Sequence, residues 1–324
     1  MPEPPLLEPS LQRTVVEGFA CPLGAYPIRA EELRPIEGYL VEFEPADAST
    51  DEEWDEWPDR YVYDVVITHT RLAPLLRALF TLFPSRVYPI VDALSEDAYR
   101  EIDPYLAYEV VGLDRFLQGY RRWRPWLLED GCVGFGAMSR EPFLFVYVDD
   151  HKILTLRAEG GMRQRVERVL AAFDLKPVTE PAGPDAAEHE HRDTLPDPTK
   201  NPEATTREDI VDDLRDAWRL TLNIDPDTNV DDDGAELGLT AWRCLVADPT
   251  NGKATEVLLV AGSLAQAEQL ALEAVFPDGT LPDPAPEVYE SLRLLPDELA
   301  AELKAPDAKS LMQAAGVRSS RPLT

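Results

Sequence analysis

The chain has 324 residues, of which 61 are acidic and 31 are basic, so its formal net charge is −30. This charge argues against general binding to DNA, RNA or anionic membrane surfaces, because all three attract Lys and Arg rather than carboxylates. Apolar residues make up 44% of the sequence, which excludes a wholly disordered chain, and the length is typical of two domains. The sequence has no apolar run of about 18 residues and begins without a signal-peptide pattern. We therefore expect a soluble, cytoplasmic protein that does not contact membranes.

Residues 1–59 are rich in proline and acidic residues and show no sustained hydrophobic period. Trp54 and Trp57 lie in an acidic stretch, Asp47–Asp59, that contains no basic residue. Such a segment is typical of an extended arm, which either wraps the first domain or binds a partner.

Regular patterns begin near residue 60 and predict a first α+β domain over residues 60–176. Runs of β-branched and aromatic residues predict strands at Tyr61–Thr68, Val87–Val91, Cys132–Met138, Phe143–Val148 and Ile153–Arg157. Helical stretches are predicted at Arg71–Phe83, Ser95–Ile102, Leu113–Leu128 and Met162–Phe173. This order favours a small, mostly antiparallel sheet with helices packed on one face, and its opening strand–helix–strand unit allows one parallel βαβ crossover.

Residues 177–204 contain six prolines and no apolar period, which predicts a proline-rich acidic linker between two domains. His189 and His191 lie two residues apart in this stretch. Two imidazoles rarely hold zinc without a third ligand, so this pair alone does not predict a metal site.

Residues 205–324 predict a second small α+β domain with a helical C-terminal tail. Thr205 and Glu208 match a capping box at the start of a helix. The elements that follow are predicted strands at Thr240–Ala247 and Thr255–Val260, a helix at Ser263–Phe276, and short helices at Val288–Leu294, Asp297–Leu303 and Ala308–Ala315.

The segment FLFVYVDDHKIL, residues Phe143–Leu154, predicts two strands joined by a polar turn. It resembles the catalytic hairpin of reverse transcriptases, in which an aromatic-x-Asp-Asp turn between apolar strands carries metal-binding carboxylates. The resemblance implies that Asp149 and Asp150 bind metal in a polymerase-palm-like phosphoryl-transfer enzyme, with Asp92 as a third carboxylate. The alternative is an ordinary hairpin whose turn consists of turn-favouring residues.

The acidic loop Asp225–Glu236 partly matches a calcium-binding loop. Counted from Asn229, oxygen-bearing side chains fall at positions one, three and five (Asn229, Asp231 and Asp233). An EF-hand needs an acidic residue at position twelve, where Thr240 stands instead. The loop is therefore either a weak Ca²⁺ site or a solvated acidic loop, and we expect no other cofactor.

A basic island consists of Arg121, Arg122, Trp123, Arg124 and Trp126. Arginines that alternate with tryptophans can grip phosphates or stack on bases. The acidic stretch around Trp54 and Trp57 is its electrostatic complement, so an intramolecular clamp explains both features. If the arm can be displaced, the island becomes a partner-binding face, and Trp54 and Trp57 of the arm are candidate partner-binding residues as well.

The sequence contains no recognised hydrolase or phosphate-loop motif. Together with the acidic charge, this favours a non-enzymatic accessory or adaptor protein that binds another, basic protein. An inhibitor whose carboxylates imitate nucleic-acid phosphates is a variant of the same hypothesis. The alternative is the metal-dependent phosphoryl-transfer enzyme that uses Asp149, Asp150 and Asp92.

Overall fold

The computed structural model describes residues 6–46, 57–250 and 252–323. The chain divides into two compact units, the first formed by residues 1–93 and 104–223, the second by residues 94–103 and 224–324. Each unit is an α+β structure on an antiparallel sheet, in agreement with the predicted fold class. None of the described helices is long and apolar enough to cross a membrane.

The elements of the first unit surround one large sheet. The strands of this unit are β1 (Val15–Val16), β2 (Phe19–Ala20), β3 (Ala25–Pro27), β4 (Gly38–Glu44), β5 (Arg60–Val66), β6 (Arg86–Leu94), β7 (Ile102–Leu106), β8 (Val111–Gly112), β9 (Val133–Arg140), β10 (Phe143–Val148), β11 (Leu154–Glu159), β12 (His189–His191) and β13 (Thr221–Leu222). Its helices are α1 (His69–Phe80), α2 (Leu113–Glu129), α3 (Arg163–Ala172) and α4 (Arg207–Trp218). The sheet has the order β13-β7-β6-β9-β10-β11-β5-β4, and β8 pairs with β6.

Helix α1 connects two strands that run in the same direction. Every pairing from β6 through β9, β10 and β11 to β5 is antiparallel. Strands β5 and β6 are therefore parallel to each other, with three strands between them. The connection is therefore a crossover over the β9–β11 meander.

One face of the sheet is covered by the helices. Along β10, Leu144, Val146 and Val148 point into the core, whereas Phe145 and Tyr147 are half-buried on the opposite face. This alternation follows from the two-residue period of a strand. Side chains of all four helices belong to the same core, which places them on one face.

Several strands lie where the sequence predicts the arm and the linker. Strands β1 to β4 fall within residues 1–59, and β12 falls within residues 177–204, where it pairs with β3. Helix α4, predicted to open the second domain, buries Ile210, Leu214 and Trp218 in the first core. Its tryptophan packs on Phe116 with ring centroids 4.9 Å apart, since Gly119 leaves room for the indole.

The second unit has helices on both faces of its sheet, whereas the sequence predicts one covered face. Its elements are β14 (Thr240–Asp248), β15 (Lys253–Ala261), α5 (Leu264–Val275), β16 (Glu287–Leu294), α6 (Pro296–Glu302), α7 (Ala308–Leu311) and β17 (Gly316–Pro322). The strands have the order β16-β14-β15-β17. Helix α5 packs with one face around Trp242, and Leu299 of α6 packs with the other around Leu258.

Two predicted helices are wrong. Residues 288–294 form most of β16 because they pair with the edge of β14. Residues 95–101 are irregular because side chains compete for their backbone groups. Ser95 accepts the N–H of Asp97, and Asp97 accepts the N–H of Tyr99.

A buried ion pair holds residues 94–103 in the second unit. The Asp97 carboxylate accepts the backbone N–H of Arg293 at 2.9 Å and its Nε–H at 2.8 Å. Arg293 is only 4% exposed, and its Nη1 also donates to the Val230 carbonyl oxygen at 2.6 Å. The guanidinium is therefore a buried charge whose only carboxylate partner at hydrogen-bond distance, among the described residues, is Asp97.

Asp97→Ala should lower the free energy of unfolding of the second unit by about 3–5 kcal/mol, because it leaves the Arg293 charge buried and uncompensated. Urea unfolding followed by circular dichroism measures this loss, and Asp233→Ala, on an exposed side chain of the same unit, is the matched control. Equal stability of the two variants would contradict the assignment.

Candidate metal centre

The turn between β10 and β11 presents His151 in a fixed position. The Asp149 carboxylate accepts the backbone N–H of Ile153 at 2.7 Å, which closes the turn. Lys152 adopts a left-handed conformation with φ of 65°, and its buried ammonium donates to the Val133 carbonyl oxygen at 2.5 Å. Burial lowers the pKa of Lys152 to about 8. The residues on both sides of His151 are thus fixed by hydrogen bonds.

Strand β12 brings two further imidazoles to this turn. His189 pairs with Pro27 and His191 with Ala25, and the strand period places both rings on the same face. The backbones of residues 24 and 131 approach so closely that a side chain at Gly24 would collide with the Gly131 nitrogen. Arg192 donates its N–H to Gly24 at 2.7 Å, so the end of β12 is fixed beside the C-terminus of α2.

The three rings meet through their Nε2 atoms. The Nε2 atoms of His151 and His189 are 2.9 Å apart, and those of His189 and His191 are 3.2 Å apart. The ring centroids lie between 4.6 and 5.1 Å from one another. One candidate ligand atom from each of the three residues lies within 4.8 Å of the others.

The other nitrogen of each ring has an acceptor of its own. His189 Nδ1 lies 2.8 Å from the Ala187 carbonyl oxygen, and His191 Nδ1 lies 2.6 Å from the Gly131 carbonyl oxygen. His151 Nδ1 lies 2.8 Å from the Asp150 carboxylate. In a neutral imidazole, an acceptor at Nδ1 favours the tautomer that carries its proton there and leaves Nε2 free to bind a metal. The three Nε2 atoms are therefore candidate metal ligands.

Two carboxylates beside the three imidazoles stabilise a positive charge there. Asp150 also lies 3.3 Å from His191 Nδ1, so it contacts two of the three rings, and Asp149 lies 3.7 Å from His151. Burial opposes a charge on His151, but hydrogen bonds to Asp149 and Asp150 outweigh it and raise the pKa of His151 to about 10.

The donor set fits a divalent transition metal of the zinc type. Nitrogen ligands about 2.1 Å from a tetrahedral ion lie about 3.4 Å from each other, and the two Nε2 separations of 2.9 and 3.2 Å are within about half an ångström of this value. Imidazole ligands suit zinc, copper, iron and nickel. Zinc-bound histidines typically donate Nδ1–H to a carboxylate or a carbonyl oxygen, which is the pattern that Asp150, Ala187 and Gly131 provide.

The carboxylates predicted from the hairpin are only partly brought together. Asp149, Asp150 and His151 form a second group that offers three ligand atoms within 4.8 Å of one another, whereas Asp92 belongs to neither of the groups found in the described residues. The Tyr147 hydroxyl donates to Asp92 at 2.5 Å. Burial raises the pKa of Asp92, and the hydrogen bond from Tyr147 opposes this rise.

Glycines in β9 permit the contact between Tyr147 and Asp92. A side chain at Gly134 would lie 2.1 Å from the Tyr147 hydroxyl oxygen, and one at Gly136 would meet the backbone of β10. The glycine-rich stretch around Cys132 is therefore a strand that makes room for a tyrosine.

The basic island lies on α2, and its two tryptophans are buried in the hydrophobic core. Trp126 is fully buried, and Trp123 is 8% exposed and donates from Nε1 to Asp213 at 2.6 Å. Arg122 pairs with the same carboxylate at 2.6 Å. Arg121 and Arg124 are exposed and line a cavity beside α1.

The tryptophans of the acidic arm are not both described. Trp54 lies outside the described residues. The ring of Trp57 packs on Phe143 and Phe145 and lies against the guanidinium groups of Arg60 and Arg157. The predicted contact between this part of the arm and the basic island remains a prediction.

The loop predicted to bind calcium uses its polar atoms internally. The Asn229 amide donates to the Gly238 carbonyl oxygen at 2.7 Å and accepts from Arg293 at 3.2 Å. Asp231 accepts the N–H groups of Asp233 and Ala235. These contacts stabilise the loop without an ion, and Ca²⁺ binding there stays a prediction.

The histidine cluster was missed in the sequence because its members lie in a hairpin turn and a predicted linker. The chain has only four histidines, and three of them meet here. The available signal was the His-x-His spacing, which in a strand places two imidazoles on one face.

Comparisons with protein-family models, with curated proteins and with solved structures found no match to this chain.

Proposed function

We propose that the chain binds one Zn²⁺ ion through the Nε2 atoms of His151, His189 and His191. The observation that carries this proposal is that three imidazoles bring their Nε2 atoms together while each Nδ1 lies against another acceptor. A zinc ion bound there would displace the Nε2 proton that His151 carries in the metal-free protein.

Three protein ligands leave one position of a tetrahedral ion for water. Closed structural zinc sites use four protein ligands, whereas catalytic sites use three and keep the fourth open. Zinc lowers the pKa of its bound water to about 7, which supplies hydroxide at neutral pH. We therefore propose ester-type hydrolysis as the activity. A zinc ion held by His151, His189 and His191 would supply the hydroxide for this reaction, in which an ester and water give a carboxylate, an alcohol and a proton.

The side chains around the ion have separate roles in this proposal. Asp150 orients His151 and His191 through their Nδ1 atoms, and the Ala187 carbonyl oxygen orients His189. His191 is exposed, so solvent and substrate can reach the ion from its side. The adaptor function predicted from the acidic charge requires no metal, and metal dependence therefore separates the two proposals.

The metal-free protein should bind one Zn²⁺ per chain with a Kd below about 1 μM in isothermal titration calorimetry. His189→Ala and His191→Ala should each weaken binding by more than about 100-fold, because each removes a ligand. Glu190→Gln is the matched control, since its side chain lies on the same strand but on the opposite face. Equal affinity of all three variants would contradict the site.

Asp150→Asn should weaken Zn²⁺ binding by about 10- to 100-fold, because the amide replaces a carboxylate that holds two of the imidazoles. Competition with a fluorescent zinc chelator measures the change. An unchanged Kd would show that Asp150 does not orient the ligands.

Zinc-loaded protein should hydrolyse p-nitrophenyl acetate faster than the chelator-treated protein, and His191→Ala should remove the difference. Release of p-nitrophenolate, followed by its absorbance, measures the rate. Tight zinc binding without this activity would contradict the hydrolytic function and leave the metal site intact.

A further inference from the structure

A cavity of about 490 Å³ lies between α1 and α2 of the first unit. None of the candidate zinc ligands lines it. Its volume falls within the range of small-molecule binding sites. Three arginines, Arg77, Arg121 and Arg124, line the cavity together with mainly apolar side chains.

Three arginines face this cavity without a carboxylate. Arg77 lies in the last turn of α1, and Arg121 and Arg124 lie three residues apart on the same face of α2. In the described parts of the chain, no acidic side chain pairs with any of them, although acidic residues outnumber basic ones by about two to one in the sequence. An uncompensated positive group in so acidic a chain is suited to an anionic ligand.

Tyr120 contributes to the wall of the cavity, but its hydroxyl does not reach it. The residue is only 3% exposed, and its hydroxyl oxygen is buried without a hydrogen-bond partner. Burial raises the pKa of Tyr120 to about 12, although Arg124 and Arg77 act in the opposite direction. The charged groups that a ligand can contact here are therefore those of the arginines.

The rest of the wall is apolar. Phe80 is 2% exposed, and Leu113, Leu117 and Ala73 complete the surface beneath the arginines. Charged groups at the rim above an apolar wall match a molecule with one anionic group and a hydrophobic body. A highly charged, wholly polar anion would leave the apolar wall unfilled.

We propose that this cavity binds a small organic anion, with its carboxylate, sulfonate or phosphate group held by Arg77, Arg121 and Arg124. The hydrophobic body of the ligand packs on Phe80 and the two leucines. This site does not depend on the metal centre.

The probe is 8-anilinonaphthalene-1-sulfonate, an aromatic anion whose fluorescence rises on binding. Titration into the full chain should show one saturable site. The double variant Arg121→Gln/Arg124→Gln should weaken binding by at least about tenfold. N-phenyl-1-naphthylamine, a related probe without the sulfonate, should bind at least about tenfold more weakly than the anion.

Arg165→Gln/Arg168→Gln is the matched control, because it removes the same charge from two exposed arginines three residues apart on α3. It should leave the affinity unchanged. Equal losses in the two double variants would mean that only net charge matters and would overturn the site.

A competition experiment distinguishes a small anion from an acidic protein segment as the ligand of the cavity. Naphthalene-2-carboxylate should displace the probe, and a synthetic peptide with the sequence of residues 47–56 should not. Displacement by the peptide alone would assign the cavity to an acidic polypeptide and overturn the small-molecule proposal. Circular dichroism of each variant verifies that the fold is retained.

Discussion

The lone pairs of three imidazole nitrogens cannot face one another without a proton or a metal ion between them. In this chain the arrangement is imposed from outside the cluster, since Nδ1 of each ring has an acceptor in the Asp150 carboxylate or in a backbone carbonyl group. The site depends most on the pairing of β12 with β3, because β12 carries both His189 and His191. Strand β3 thus holds the two histidines of β12 beside the β10–β11 turn.

Charge is distributed unevenly over the first unit. Asp149 and Asp150 lie beside the imidazoles, where a cation is stabilised. Arg77, Arg121 and Arg124 line a cavity, and none of them pairs with an acidic side chain among the described residues. The net charge of −30 does not predict the local charge at the histidine cluster or at the arginine-lined cavity. Composition alone therefore predicted a basic protein partner, whereas the side-chain geometry favours a metal ion in one place and a small anion in another.

Much of the fold could be predicted from local pattern. The β10 strand was predicted with its observed bounds, and the capping box of α4 was displaced by one residue, to Thr206 and Asp209. The β16 strand was predicted as a helix, because its eight residues become a strand only by pairing with β14. The metal centre could not be predicted for the same reason. His151 lies 38 residues from His189, and only the tertiary path of β12 joins them.

The most direct test of this account is X-ray absorption at the zinc edge of the protein loaded with one equivalent of Zn²⁺. If His151, His189 and His191 hold the ion, it should be four-coordinate with nitrogen ligands at about 2.0–2.1 Å and should give the multiple-scattering signal of three imidazoles. His151→Ala should reduce that signal to two imidazoles or abolish binding. A shell of oxygen ligands alone, without imidazole scattering, would place the ion on surface carboxylates and contradict the histidine site.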